Sequence, residues 1–261
     1  VQALKLLGVN NVASISAAGR IAQDILPGHL VNIDDLAFMS LGSLEISISE
    51  EESLLLHAPL TAPYSNGLRQ KLNEAWVPSK EQITTLYGQY PQLQLAIGFH
   101  PDGTYFNSDP PWFNTAAQED MIRGSFTNVS LIGQTLLPEA ALLREMGIAQ
   151  LAIGMCTDHS NYPGAVRSVT HAGEGGVMDI AAITSGAALI LLDNALKLVP
   201  DDFYDPFAHE MIKNSVHPNQ VNWRNLRWRR PRLAVIIDQA LPPDQRQPYS
   251  LIDRLRYIPV R

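Results

Sequence analysis

With 261 residues, 46 % apolar and 17 % charged, the chain is long enough for one large domain with a full hydrophobic core, and it excludes disorder over most of its length. A formal net charge of −7 argues against general nucleic-acid binding, which needs a basic surface. The lone Cys156 excludes an internal disulfide and a thiolate zinc cage and fits a reducing cytoplasm. No run approaches the roughly 20 apolar residues of a membrane span, and residues 1–5 lack a signal-peptide layout. The chain opens inside an apolar helical pattern, which does not read as a natural start.

Ala3, Leu4, Leu6 and Leu7 mark the end of a helix closed by Gly8. Residues 11–18 alternate small and β-branched side chains before Gly19 and predict a buried strand ending in a tight turn. A second strand is expected over 30–33, then a long mixed excursion over 42–63 and a helix over 80–87. Residues 93–99 and 104–106 read as strands paired around Pro101-Asp102-Gly103. A helix over 115–123 has Thr115 as N-cap, 129–133 is a short apolar strand, and a helix over 138–146 carries Pro138 in its first turn and ends at Gly147. An apolar strand over 151–156 runs into polar residues, 178–198 is a long Ala/Ile/Leu-rich helix, and 233–237 is a last strand. Alternating helices and wholly apolar strands imply an α/β fold: one domain over 1–261 with a mixed central sheet covered by helices on both faces. Ligands of such sheets gather at the carboxyl ends of strands.

Several polar clusters sit at those ends. Ser14-Ile15-Ser16-Ala17-Ala18-Gly19-Arg20 ends a strand in small residues that let a ligand approach backbone N–H groups, or is a plain turn. In 109–115, Asp109, Pro110 and Pro111 stiffen a loop presenting Trp112 and Phe113, which can stack on a heterocycle or anchor the loop in the core. Gln134 and Thr135 lie between a strand and a helix start, suited to an anion or sugar hydroxyls; otherwise Thr135 caps the helix and Gln134 is solvated. Thr157-Asp158-His159-Ser160-Asn161 places a carboxylate where it can exchange a proton with a heterocycle nitrogen. His159 has no second ligand at metal spacing and reads as a surface residue. Five arginines and two tryptophans between 223 and 232 could bind phosphate, but in an acidic chain read better as a solvated or subunit-facing strip.

In order and spacing these clusters resemble the purine nucleoside phosphorylase family, nearest its methylthioadenosine phosphorylase branch. Residues 8–19 resemble the strand ending Ser-Ala-Val-Gly, and 25–31 the Pro-Gly-Asp-Phe-Val segment after it. Gly103-Thr104-Tyr105 followed by 111–115 is similar to the Gly-Thr-Tyr … Gly-Pro-Gln-Phe-Ser-Thr loop. Residues 132–140 resemble Ile-Gly-Met-Thr-Asn-Leu-Pro-Glu-Ala, and 153–158 resemble Ile-Ala-Met-Val-Thr-Asp. The resemblance covers about residues 1–200 and implies phosphorolysis of a purine nucleoside such as methylthioadenosine or adenosine, with phosphate as co-substrate, no metal or other cofactor, and a homotrimer or hexamer. By position it sets Phe113 and Asn114 at the purine, Gln134 at the ribose, Thr135 at phosphate, and Ala17 and Ala18 along the sugar and phosphate. It sets Thr157 and Asp158 at the base, with Asp158 on N7 as the catalytic residue; an Asp there resembles the enzymes of 6-aminopurines.

The departures define a rival expectation, a catalytically silent nucleoside-binding or assembly subunit. Ser160 replaces the family's second base-side carboxylate, and its acidic residue before Gly-Pro is shifted to Asp109. The Gly-Gly-Thr-Gly phosphate loop does not occur, and Glu210 beside His209 falls where the family has an Arg-His phosphate pair. Residues 218–226 resemble a segment that in the family precedes the helix at residues 1–5, so a permuted or misordered chain is also expected.

Overall fold

The computed structural model describes residues 1–39, 58–109, 112–160 and 175–210. Most of the 42–63 excursion, Pro110, Pro111, the arginine-rich strip, the 218–226 segment and the 233–237 strand lie outside the described residues.

Seven strands form one mixed sheet, in the order β3-β5-β6-β1-β7-β2-β4. They are β1 (Asn11–Arg20), β2 (Leu30–Asn32), β3 (Asp35–Phe38), β4 (Phe99–His100), β5 (Thr104–Asn107), β6 (Val129–Gly133) and β7 (Ala149–Asp158). The helices are α1 (Gln2–Leu6), α2 (Asn66–Gly88), α3 (Ala116–Ser125), α4 (Glu139–Glu145), α5 (Val177–Leu196) and α6 (Pro206–His209). The long strands β1 and β7 run parallel at the centre. On one side β3, β5 and β6 are parallel to each other, but β6 meets β1 antiparallel, with Gly19 opposite Ile132. The carboxyl ends of β5 and β6 therefore run head-on toward those of β1 and β7.

β7 shows why a strand with no polar alternation sits at the centre. Ala149, Leu151, Ile153 and Met155 enter a core with Leu68, Leu72, Ile83, Ala187 and Leu191 of α2 and α5. The intervening Ala152 and Cys156 enter a second core with Val31, Ile33, Tyr105, Leu131 and Leu136. Side chains alternate across a strand, so burial on both faces demands apolar residues at every position. In α2, Leu68, Leu72, Ala75, Ser79, Ile83 and Tyr87 form one buried stripe at helical spacing. Ser79 ties the two long helices together: its Oγ donates to the Ala75 carbonyl at 2.7 Å and accepts from Asn194 Nδ2 at 2.9 Å.

Four expectations need correction. The helix over 80–87 is only the end of α2, which begins 14 residues earlier. Pro78 reads as a break, yet it is exposed, so the carbonyl it leaves unserved, on exposed Glu74, can turn to water. Residues 93–99 do not pair with 104–106. Leu93 closes a short 3₁₀ turn, β4 pairs in parallel with β2, and β5 lies across the sheet between β3 and β6. The strand β3 was not anticipated; at four residues it is too short for its alternation to stand out. Finally, α5 has 20 residues and a mean hydropathy of 1.4, enough by length and composition for a membrane span. Asp179, Thr184, Ser185 and Asp193 interrupt it in the sequence, but their weight is outvoted by Ala, Ile and Leu. In this fold its Ala187, Ala188, Leu191 and Ala195 are buried against α2 and the sheet.

Leu191 is fully buried in that core, whereas Leu189 of the same helix is 56 % exposed. Leu191→Ala is expected to lower the unfolding free energy by about 2–5 kcal/mol in chemical denaturation, and Leu189→Ala by less than about 0.5 kcal/mol.

Candidate functional site

The decisive local feature is an irregularity between β1 and β7. Their parallel register runs one to one from Asn11/Ala149 to Ala18/Cys156, then jumps to Gly19/Asp158. Thr157 is the extra residue of a β-bulge, and bulges redirect the side chains that follow them. The Thr157 hydroxyl reaches across the bulge: its Oγ1 lies 3.2 Å from the Ala18 carbonyl and 3.0 Å from Asp158 Oδ2. Past the bulge the chain turns sharply, and Ser160 takes a left-handed φ of 49°. That turn brings the Ser160 N–H onto Asp158 Oδ1 at 2.7 Å. Strain of this kind persists only where the surroundings hold it.

Asp158 faces a cavity of about 140 Å³ at the converging strand ends. Ala17, Ala18, Phe113, Asn114, Gln134, Thr135, Thr157, Asp158 and Ser160, the nine site residues named from the sequence, all line it. Gly19 leaves room for this turn, since a Cβ would lie 2.0 Å from Ser160 Oγ and 2.7 Å from Asp158 Oδ1 and those side-chain ends would have to move. Burial raises the Asp158 carboxyl above the ordinary carboxylate range, opposed by the hydrogen bonds from Ser160 and Thr157. One hydroxyl carries one proton. When Thr157 donates to Ala18, a protonated Asp158 can donate in turn to Thr157, so the neutral acid completes the chain.

The opposite wall is a cluster of hydroxyls. Ser16 Oγ lies 2.7 Å from Thr135 Oγ1 and 2.9 Å from Tyr105 Oη. The Thr135 N–H points at the same phenol from 3.5 Å. Asn107 shapes the turn that follows: its Oδ1 accepts from the N–H groups of Leu136 and Leu137 at 3.2 and 3.0 Å. Thr135 does not cap α4, whose N-cap position is Pro138 with no side-chain cap. Nor is Gln134 simply solvated, as its Nε2 donates to the Trp112 carbonyl at 2.6 Å. That bond fastens the aromatic loop to the end of β6. Phe113 is half exposed and separates the cavity from a neighbouring one of about 230 Å³ that Asp109 and Trp112 also line. His159 is exposed, and among the described residues no group of three His, Cys, Asp or Glu side chains could hold a metal ion.

Ser16 and Tyr105 stand behind the lining and act at one remove, through Thr135. Several lining residues escaped the sequence reading. Glu119 of α3 is the important omission: it is 2 % exposed, lines the cavity, and lies 3.5 Å from Arg123 Nη1. Its signal was present, because the capping box of Thr115 and Gln118 fixes the helix phase and turns Glu119 inward beside Ile122. A larger cavity of about 510 Å³ lies at the opposite ends of β5 and β6, around Asp35, Thr104 and Val129, and holds none of the predicted residues.

The profile of the phosphorylase superfamily matches residues 1–191. The chain belongs to this superfamily. Among its relatives is the S-methyl-5′-thioadenosine phosphorylase of Hyperthermus butylicus, 30 % identical over 170 residues, 65 % of this chain and 54 % of that protein. A probable 6-oxopurine nucleoside phosphorylase of Thermococcus kodakarensis is 27 % identical over 209 residues, 77 % of this chain and 69 % of the relative. The chain thus spans about half the length of the first relative and about two thirds of the second. A methylthioadenosine phosphorylase from an Antarctic soil metagenomic library has the same fold, with a TM-score of 0.69 at 21 % identity over 90 % of this chain and 74 % of the other. Superfamily membership accounts for the mixed sheet.

Gly19→Ala tests the close approach of β1 to the bulge. The new methyl must displace Ser160 or Asp158, so the variant is expected to lose about 1–3 kcal/mol of unfolding free energy in chemical denaturation, while the far-UV circular dichroism spectrum is kept.

Proposed function

We propose that this protein cleaves a purine nucleoside of the methylthioadenosine or adenosine type by phosphorolysis, yielding the free base and the corresponding pentose 1-phosphate. One observation carries the proposal: a buried carboxyl held between Thr157 and Ser160, its pKa raised by burial, on the wall of a cavity flanked by Phe113. In the reaction a phosphate oxygen forms a bond to the anomeric carbon as the bond from that carbon to N9 breaks. The bonding pair leaves with the purine. A purine anion is a poor leaving group, and protonation at N7 makes it a neutral one. A pKa raised by burial shifts the acid toward the protonated form that this step requires, relative to an exposed aspartate. Phe113 offers a ring face to the base. Gln134, fixed by its bond to Trp112, serves the sugar, and Thr135, backed by Ser16 and Tyr105, offers hydroxyl donors to phosphate. The relatives' names support the purine nucleoside class, and both amino- and oxopurine enzymes occur among them.

A second reading has its own observation. Among the described residues lining the cavity there are two carboxylates, Asp158 and Glu119, and no Lys or Arg. An anion gains little in such a cavity, which favours nucleoside binding without turnover.

Release of free base from methylthioadenosine and adenosine, followed chromatographically with and without phosphate, separates the two. Phosphate-dependent release supports the enzyme; purine binding with no release under either condition supports the silent binder. The pH dependence is specific to Asp158. The acid must be protonated to act, so kcat/KM is expected to fall as pH rises through its raised pKa. Asp158→Asn is expected to lower kcat/KM by about a hundredfold or more and to remove that limb of the profile. The same change replaces a carboxyl whose ionised form is penalised by burial, and the amide can still donate to Thr157. Its thermal midpoint is therefore expected to match or exceed the parent's near neutral pH.

A further inference from the structure

Away from the purine cavity, a second cavity of about 390 Å³ lies between the start of α2, the end of α4 and the segment leading into α6. Its residues include Arg144, Ser65, Asn66, Tyr204 and Phe207, and it shares none with the purine cavity. Arg144 is the unusual member: a guanidinium only 3 % exposed. Its Nη2 donates to the carbonyls of Thr61 and Ala62, the first at 3.4 Å, while Nε has no partner. Among the described residues no carboxylate comes within 4.0 Å of it. Asp205, which also lines the cavity, favours that charge from beyond 4.0 Å, while its Oδ1 caps α6 by accepting from the Ala208 N–H at 3.2 Å. Buried charges are as a rule neutralised by an opposite charge, because carbonyl dipoles alone offset desolvation poorly.

The rest of the cavity completes a recognisable chemistry. The 23-residue helix α2 begins here with Ser65, Asn66 and Gly67, and its first-turn N–H groups add a positive end to the charge of Arg144. The same cavity is lined by Tyr204 and Phe207, 56 % and 52 % exposed, with Tyr204 packed on the His209 ring at 4.6 Å between centroids. Arg144 lies 4.9 Å from the Phe207 ring centre, so the cation and the aromatic face are one surface.

We propose that this cavity is a second binding site for an organic anion bearing an aromatic ring, of the nucleoside monophosphate class, with the anion on Arg144 and the start of α2 and the ring against Tyr204 and Phe207. A cavity of this size is in the range that holds such ligands. The site reaches the purine cavity through one element: α4 carries Arg144 at its end and follows directly on the Thr135–Pro138 turn at its start.

The test is calorimetric titration of the protein with adenosine 5′-monophosphate, inorganic phosphate and adenosine, in buffer containing saturating adenine so that the purine cavity is filled. The monophosphate is expected to bind under these conditions more tightly than either phosphate or adenosine. Arg144→Met, which keeps the apolar stem, is expected to weaken it by about tenfold or more. Phe207→Ala is expected to weaken it several-fold, and because that ring is half exposed the variant reads out the site even where the arginine change impairs folding. Binding that adenine abolishes, or that neither variant alters, overturns the proposal. Binding of inorganic phosphate as tight as that of the monophosphate overturns the aromatic half of it.

Discussion

The bulge at Thr157 is the constraint on which the site depends. Without it, β1 and β7 would stay in register to their ends and Asp158 would lie opposite Arg20 instead of Gly19. At the extra residue the Thr157 hydroxyl reaches the Ala18 carbonyl. That contact couples the backbone of β1 to the protonation of Asp158, because the same oxygen touches both. A glycine at 19 suits the turn that follows, since a Cβ there would push on the Ser160 and Asp158 side chains. So does the left-handed backbone at Ser160, which turns an N–H back onto the carboxylate. One inserted residue thus accounts for a threonine, an aspartate, a glycine and a serine at fixed places.

The second constraint is the reversal between β1 and β6. Parallel sheets place their carboxyl ends along one edge, and ligands collect there. Here two parallel groups run toward one another, so the ends of β1, β5, β6 and β7 meet in the middle of the sheet. The loops leaving those ends converge on a small volume, which is how residues as distant as Ala17, Phe113, Thr135 and Asp158 come to line one cavity. The rigidity of the place comes from the two cores that β7 joins, one on each face.

How much of this was legible in the sequence depended on the length scale of each signal. β7 and α5 could be read because their apolar runs are long and their phases plain. The helix α3 was legible because a capping box announces its start. Strand partners were not, as the misassigned pair around Pro101-Asp102-Gly103 shows: a turn signal says that the chain bends, not which strand it then joins. The clusters holding the nine site residues stood out by their chemistry at strand ends, and order and spacing shared with a known family gave each residue its expected role. Ser16 and Glu119 were passed over for opposite reasons. Ser16 sits in a strand of small residues where nothing distinguishes it, and its meaning lies in Tyr105 and Thr135, 89 and 119 residues away. Glu119 looked like one more acidic residue on an exposed helix, and only the phase of α3 turns it inward.

Charge sets the remaining problem for a phosphorolytic reading. A divalent anion must enter a cavity that Asp158 and Glu119 already make negative. Two devices reduce the conflict. Burial shifts Asp158 toward its neutral form, which on the proposed reading is the form that protonates the purine and repels phosphate least. Glu119 has Arg123 beside it, one turn along α3, which turns that carboxylate into part of a dipole. On that reading the two roles of Asp158 are linked: the proton that would make the purine a leaving group is the one whose presence would ease the approach of phosphate. A rise in pH through the raised pKa removes both at once, so loss of phosphate affinity and loss of leaving-group activation would share a single titration. Were Asp158 a general acid alone, phosphate affinity would be flat across that range, and the two effects would part.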